Sequence, residues 1–266
     1  DRLLQNNAPL EARIFHQRDP LGCDAVTVVA KLTWELDRAG KASLAVPPVP
    51  IRPSSERTSG AAKSSIRYPH DRPPMKPGTD VIMVANAYVA DDQRLASVDV
   101  GLRIETGTTT LHKQVRVFGP RVFMRSAGGA KPGPGQPVLT TPIQYELAEG
   151  GADPDNPDFI DDTNLSGTGC RKDKSKLVGE EAYRIEPLGG TKPAGFGVIS
   201  PIWSARKAFR GTKDQAYYKE RHPIPPATAG RSAPPGRHRA TRAGCSSATK
   251  CVLAPTATRA RHCPSA

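Results

Sequence analysis

Two glycine-containing stretches carry residue types that could bind phosphate. Residues 60–65, GAAKSS, place Lys63 before a serine as a phosphate-binding loop does, but the G-x-x-x-x-G-K-[S/T] spacing is absent and no strand precedes them. Residues 189–193, GGTKP, end in Pro193, which has no N–H to donate to a phosphate. We therefore predict a flexible surface loop for the first stretch and a turn for the second.

Acidic and cysteine-containing stretches could supply metal ligands. Residues 153–162 offer aspartates for Ca²⁺, but they lack the glycine at loop position six and the closing glutamate of an EF-hand. Cys245, Cys251, His262 and Cys263 match no tight ligand pair for Zn²⁺. The sequence therefore predicts no metal ion and no cofactor, and a hydrated loop for the acidic run.

The residues that could perform acid–base or nucleophilic catalysis match no known catalytic motif. A G-x-S-x-G nucleophile elbow is absent. Asp91 and Asp92 are neighbours in sequence, as are Glu180 and Glu181, which is typical of hydrated turns rather than of an acid–base couple. The histidines are scattered, at positions 16, 70, 112, 222, 238 and 262. We therefore predict no catalytic residues and a protein that is not an enzyme.

The net charge of +12 is unevenly distributed. Residues 227–266 hold seven Lys or Arg and no Asp or Glu, whereas the other 226 residues carry 31 basic and 26 acidic side chains, a net charge of +5. The basic tail has no aromatic residue to stack on bases, so any binding to nucleic acid would be unselective and salt-sensitive. Nucleic acid is therefore not a favoured partner.

Cysteine usage and hydropathy indicate a compartment. Five cysteines are an odd number without a C-x-x-C pair, which favours free thiols in a reducing compartment. A run of 18 apolar residues is absent, and the first residues lack the features of a secretory signal. We expect a cytoplasmic protein without a membrane partner, and a trimmed or missing start because the first residue is not Met.

The segment that organises the chain is a meander from residue 76 to residue 121. Residues 81–89 form a nearly unbroken apolar run, typical of a strand covered on both faces. Residues 98–105 alternate apolar and polar side chains, and residues 111–118 return with Val115 and Val117 on the inner face and His112 on the outer one. Such a meander requires a second layer to cover its apolar face.

Other elements are predicted on both sides of the meander. Residues 25–36 alternate like a strand, with Val26, Val28, Ala30, Leu32, Trp34 and Leu36 facing one way. Residues 142–148 indicate a helical turn, and residues 213–221 a short helix. The tail after residue 226 has no aromatic residue and no apolar period, which predicts disorder.

These elements predict a mainly β fold. We expect an antiparallel β-sandwich or two packed sheets, with one or two short helices, long loops and a disordered C-terminal tail. The predicted domains are a β-rich body over residues 1–226, which could divide into residues 1–125 and 126–226, and the basic tail over residues 227–266.

Several blocks along residues 6–226 resemble, in order and spacing, the bacterial domain of unknown function 2169 family. The central blocks are KPGTDVIMVANAYV from Lys76, SVDVGLRI from Ser97 and KQVRVFGPR from Lys113. Similar to later family elements are PIQYELAEGG from Pro142, NLSGTG from Asn164, PAGFG from Pro193, and then Trp203 and Arg206. The chain departs from the family pattern at Ala85-Asn86 and Glu149, and after Pro226.

The resemblance implies a cytoplasmic adaptor or chaperone, not an enzyme, that loads a toxic effector onto the spike of a type VI secretion system. The implied partners are the effector toxin and the spike or tip protein, bound through the glycine- and proline-rich loops. The implied protein-binding residues are Lys76, Asp80, Arg116, Tyr145, Glu146, Gly150, Gly151, Gly167, Gly169, Gly195, Phe196, Gly197, Trp203 and Arg206.

The departure after Pro226 leads to a separate expectation. The family continues with an Asp-Phe-Asp element, where this chain has Arg, Ala, Pro and Cys, as a GC-rich gene gives when read out of frame. We therefore expect residues 227–266 to follow a frameshift near residues 226–228.

Two rival functions remain open from the sequence. One is a β-rich hydrolase or carbohydrate-active domain whose site residues meet only in the folded chain. The other is a basic nucleic-acid-associated protein that acts through the tail.

Overall fold

The central meander is present, although its first strand is interrupted. A computed structural model describes residues 10–18, 24–37, 39–61, 63–71, 80–89, 93–106, 109–190, 192–210, 215–220 and 250–253. Within these residues the chain is mainly β, with two short helices, which confirms the predicted class. The described strands form eight small sheets of two or three strands each. The chain divides into two compact units, which we describe separately.

The first unit comprises Asp1–Glu56, Tyr68–Val81 and Ser204–Cys251. Its elements are β1 (Glu11–Arg18), β2 (Asp24–Lys31), β3 (Trp34–Leu36), β4 (Ala42–Leu44), α1 (Ser204–Arg210) and α2 (Gln215–Glu220). β1 and β2 form one antiparallel hairpin, and β3 and β4 form another. The predicted helix over residues 213–221 corresponds to α2, whereas α1 was not anticipated, and the single strand predicted over residues 25–36 is two strands.

Four short strands lie at positions in the sequence where the chain passes from one unit to the other. They are β5 (Glu56–Arg57), β6 (Ile66–Tyr68), β7 (Asp80–Met83) and β18 (Lys250–Leu253). β5 pairs with β6, and β18 pairs with β7. Apart from β18, the predicted disordered tail over residues 227–266 lies outside the described residues.

The second unit comprises Arg57–Arg67, Ile82–Trp203 and Val252–Ala266. Its remaining strands are β8 (Ala85–Tyr88), β9 (Ser97–Thr106), β10 (Thr109–Phe118), β11 (Phe123–Ser126), β12 (Gly129–Pro132), β13 (Thr140–Ile143), β14 (Glu149–Asp153), β15 (Asn156–Asp161), β16 (Thr168–Gly169) and β17 (Ile185–Leu188). Two 3-10 turns, Tyr145–Leu147 and Lys174–Leu177, complete it. The possible boundary between residues 125 and 126 lies inside β11.

The strand order of the second unit places β10 at the centre of a three-stranded sheet, with β9 and β17 on its two sides. Val115 faces Val100 across β9, and Val117 faces Val98. Val115 and Val117 are fully buried, and His112 is exposed, as the alternation predicts. The covering layer comes from distant residues, because Phe196 and Ile143 pack into the same core.

Several predicted elements of the second unit are wrong in detail. The apolar run over residues 81–89 divides into β7 and β8 and is not covered on both faces, since Tyr88 is exposed. Pro142 lies in β13 rather than in a first helical turn, and the helical residues shrink to Tyr145–Leu147. The acidic run contains β15, which pairs with β14, so it is not a free loop. Local composition favours loops here, and the pairing with β14 outweighs it.

A buried arginine joins the end of β10 to β17. Arg121 is 5% exposed, and its guanidinium lies 3.7 Å from the ring centre of Phe118. It donates to the carbonyl of Tyr183 (2.6 Å) and to the carboxylate of Glu186 (2.7 Å). Burial also raises the pKa of the Tyr183 phenol to about 12. The charge is thus satisfied on two sides, as a buried guanidinium requires.

Lys113 gives the second unit a dependence of stability on pH. Its side chain lies on the same strand face as Val115, where burial lowers its pKa to about 8, and it donates to the carbonyl of Pro193 (2.7 Å). Between pH 8 and pH 10.5 the unfolded chain binds this proton and the folded chain does not, so the stability rises with pH in that window. Below pH 8 Lys113 is charged in both states, and the folded chain bears the full cost of burying that charge.

We therefore expect Lys113→Met to change the pH profile of stability. The free energy of unfolding of the variant relative to wild type should be highest below pH 8 and should fall by on the order of 1 kcal/mol towards pH 10.5, since partial solvent exposure screens the effect. Urea unfolding between pH 7 and pH 10.5 measures it. Lys131→Met, at an exposed lysine, serves as the control. Parallel profiles for Lys113→Met and wild type would contradict the assignment.

Candidate partner-binding surfaces

The residues implied as protein-binding have very different surroundings. Lys76 lies outside the described residues. The carboxylate of Asp80 forms an ion pair with the guanidinium of Arg206, at 2.6 Å, within the first unit. Arg116 forms a bidentate pair with Asp99 across β9 and β10, at 2.7 and 2.9 Å. Because both partners of this pair are exposed, it contributes little to stability but remains accessible.

Most of the other implied residues meet around Tyr145 in the second unit. The Tyr145 ring is buried, stacks edge-to-face on Trp203 with ring centres 4.9 Å apart, and donates its hydroxyl to the carbonyl of Gly197. Gly195 and Gly197 lie against the same ring, where a Cβ on Gly195 would come within 2.9 Å of it. Phe196, between them, is buried in the core.

Asn164 joins a second group of glycines to this cluster. It is fully buried and donates its side-chain amide to the carbonyls of Tyr145 (2.9 Å) and Glu149 (3.0 Å). Gly150 and Gly151 have positive φ and contact the carbonyls of Asn164 and Gly167 so closely that a Cβ would clash. A Cβ on Gly167 would lie 2.5 Å from the side-chain amide of Asn164, and a Cβ on Gly169 would lie 2.9 Å from the ring of Phe123.

The buried members of this cluster cannot themselves touch a partner. Tyr145, Phe196 and Trp203 are each at most 4% exposed, so their role in the folded chain is to support the loops. Glu146 is the polar member at the edge of the cluster. Its carboxylate accepts from the backbone N–H of Ser65 (2.6 Å) and from the Ser65 hydroxyl (2.9 Å).

This contact corrects the prediction for residues 60–65. Ser64 and Ser65 are buried, and the carbonyl of Lys63 accepts from the hydroxyl of Ser166 (2.6 Å). The segment is therefore fixed to the rest of the second unit rather than being a free surface loop. No local sequence pattern could predict this contact, because Ser65 and Glu146 are 81 positions apart.

The fixed segment forms one wall of a cleft of about 270 Å³. Its apolar lining includes Ile160, Leu165, Ile202 and Trp203, and two cations, Arg57 and Lys63, also line it. Trp203 alone among these residues was implied from the sequence. A pattern search could not find the others, since they come from three segments with no common motif.

The first unit carries an exposed apolar series, which we define as Val26, Val28, Leu32, Trp34 and Leu36. Each of these side chains is between 51% and 62% exposed. The opposite positions of β2 are partly buried instead, and there Lys31 pairs with Asp71 at 2.8 Å. The predicted alternation of the two faces is therefore present, but the face of β2 with Thr27 and Lys31 packs against the rest of the first unit.

Three further features concern metal binding, membrane-spanning helices and cysteine chemistry. Within them, no three His, Cys, Asp or Glu side chains lie close enough together to hold a metal ion. None of the described helices is long and apolar enough to cross a membrane. Cys170 is a free thiol, and its pKa is raised mainly by burial.

The fold and these surfaces define a mainly β protein with a loop-walled cleft and exposed apolar strands. The family described as "Uncharacterized protein conserved in bacteria (DUF2169)" matches residues 21–235, and the chain belongs to this family. No curated protein and no solved structure matches the chain.

Proposed function

We propose that this protein is a non-enzymatic cytoplasmic adaptor of type VI secretion, which holds a toxic effector and loads it onto the spike. One observation carries the proposal: the exposed apolar series of the first unit. Large apolar side chains that remain exposed along one stretch of the chain, here residues 26–36, favour a surface that binds another protein.

The strand arrangement of the first unit supports this interpretation. The β1–β2 hairpin is a two-stranded sheet, and Ile14 lies opposite Val28 on its exposed apolar side. A two-stranded hairpin is only marginally stable in water unless another layer covers its apolar face. An effector segment laid on this face would supply that layer.

The β3–β4 hairpin also exposes apolar side chains, and it provides a control position. Trp34 lies opposite Leu44, which is 39% exposed, so both belong to the same face of the hairpin. Glu35 and Ser43 lie opposite each other on the other face. A charge introduced on one face should therefore affect partner binding, and the same charge on the other face should not.

The test is co-purification of the full chain with the toxin encoded beside its gene, followed by titration. Val28→Asp and Trp34→Asp are each expected to weaken toxin binding at least tenfold, because a carboxylate cannot be buried unpaired in an apolar interface. Ser43→Asp is expected to change it by less than about twofold.

Trp34 provides a direct optical signal in the same titration. In a Trp203→Phe background Trp34 is the remaining tryptophan, and its emission should shift to the blue when the toxin covers it. A wild-type chain that does not bind the toxin would overturn the proposal, as would equal binding by Val28→Asp and Ser43→Asp.

A further inference from the structure

The cleft of the second unit combines an apolar interior with two basic side chains. Its volume of about 270 Å³ is at the lower end for small-molecule pockets, which typically begin near ~300 Å³. A space of this size suits one or two side chains of a bound peptide better than a whole cofactor. Ile160, Leu165 and Ile202 offer them an apolar surface, and Trp203 lies buried behind it.

Among the described residues, the two cations of the cleft have no carboxylate beside them. Three other cations of the second unit are paired with carboxylates: Arg171 with Glu180, Lys176 with Asp155, and Lys192 with Glu149. Arg57 donates to the carbonyl of Ser64, which is uncharged, and within the described part of the chain neither Arg57 nor Lys63 has a carboxylate partner. A negatively charged ligand would therefore meet two cations whose charges are not already neutralised.

The wall that carries these cations is held in place before any ligand arrives. Ser65 donates two hydrogen bonds to the carboxylate of Glu146, and the hydroxyl of Ser166 donates one to the carbonyl of Lys63. On the other side Trp203 is fixed by its contact with the Tyr145 ring. Preorganisation of this kind favours binding, because less conformational entropy is lost when the ligand is immobilised.

We infer that this cleft binds a peptide segment with a carboxylate next to an aliphatic side chain. The aliphatic group would occupy the apolar interior, while the carboxylate would pair with Lys63 and Arg57. The carboxylate can come from a chain terminus or from an Asp or Glu side chain. The inference rests on the proposed function in one respect, namely that the segment belongs to the protein held by the adaptor.

Three synthetic hexapeptides test the inference, each with the same aliphatic residues and a fluorescent label at its N-terminus. One ends in Ile-Leu with a free carboxylate, the second has the same sequence with a C-terminal amide, and the third is amidated but carries Asp immediately before Ile-Leu. Binding to the full-length chain is measured by fluorescence polarisation. At least one of the two carboxylate peptides is expected to bind ten or more times more tightly than the neutral amide, and which one does so identifies the source of the carboxylate.

Charge reversal in the cleft provides the matched variants. Lys63→Glu and Arg57→Glu should each weaken binding of the preferred peptide at least tenfold, whereas Lys131→Glu, at an exposed lysine of the same unit, should change it by less than about twofold. Equal binding of all three peptides, or equal affinities for Lys63→Glu and Lys131→Glu, would overturn the inference, as would absence of peptide binding.

The two proposals can fail separately. Val28→Asp lies in the first unit and should leave peptide binding unchanged, while it abolishes most of the toxin binding. If the wild-type chain binds the toxin but none of the peptides, the inference about the cleft is wrong and the proposed function stands. If it binds a carboxylate peptide but not the toxin, the proposed function is wrong and the cleft assignment stands.

Discussion

Trp203→Ala is expected to lower the free energy of unfolding of the second unit by about 3–5 kcal/mol. Trp203 is 1% exposed and its ring stacks on the buried Tyr145. Its removal would leave a cavity that the surrounding backbone cannot close, because Tyr145 is itself held by Gly195, Gly197 and Asn164. The transfer free energy of the ring and the cost of the cavity then add.

Chemical denaturation followed by circular dichroism measures this effect without relying on tryptophan emission. Ile202→Ala is the matched control, since Ile202 is the preceding residue and is 49% exposed, and it should cost less than about 1 kcal/mol. A loss for Trp203→Ala similar to that for Ile202→Ala would mean that the Tyr145 cluster is not a packed support for the cleft.

The second large effect is expected at Gly151, where Gly151→Ala should cost about 3 kcal/mol or more. Gly151 has φ +101°, a conformation that disfavours a side chain by about 1–2 kcal/mol. An added Cβ would also lie 2.4 Å from the carbonyl oxygen of Gly167, which is backbone and cannot swing aside. Steric overlap of this kind adds a further ~1–3 kcal/mol.

Gly179 separates the two contributions. Its φ is +87°, but an added Cβ there would have no neighbour within 4 Å. Gly179→Ala should therefore show only the conformational cost, about 1–2 kcal/mol. Thermal unfolding of both variants measures the difference, and equal losses would show that the contact between Gly151 and Gly167 is looser than described.

These two predictions concern residues implied as protein-binding by the family resemblance. In the folded chain they lie beneath the surface, where Tyr145, Trp203 and the glycines hold loops together. Their variants should therefore reduce partner binding only by unfolding or displacing the loops. Variants of Arg57 and Lys63, which line the cleft, should reduce peptide binding while the stability stays nearly unchanged.

Local pattern determined the parts of this fold that depend on neighbours in sequence. The alternation of residues 98–105 and 111–118 predicted the pairing of β9 with β10 and the burial of Val115 and Val117, because side chains of a strand point to opposite faces. Gly150 and Gly151, implied as loop residues by the resemblance, instead lie inside β14 with positive φ, a conformation that is open to glycine above all.

The tertiary structure decided which face of a strand is covered and which distant residues meet. Alternation separates Val26 and Val28 from Thr27 and Lys31, but it carries no information on where the rest of the unit lies. One wall of the cleft depends on a hydrogen bond between Ser65 and Glu146, which are 81 positions apart in the sequence. Its charge depends on Arg57 and Lys63, which have no acidic partner among the described residues. Such features arise from long-range packing, which no local pattern of residue types encodes.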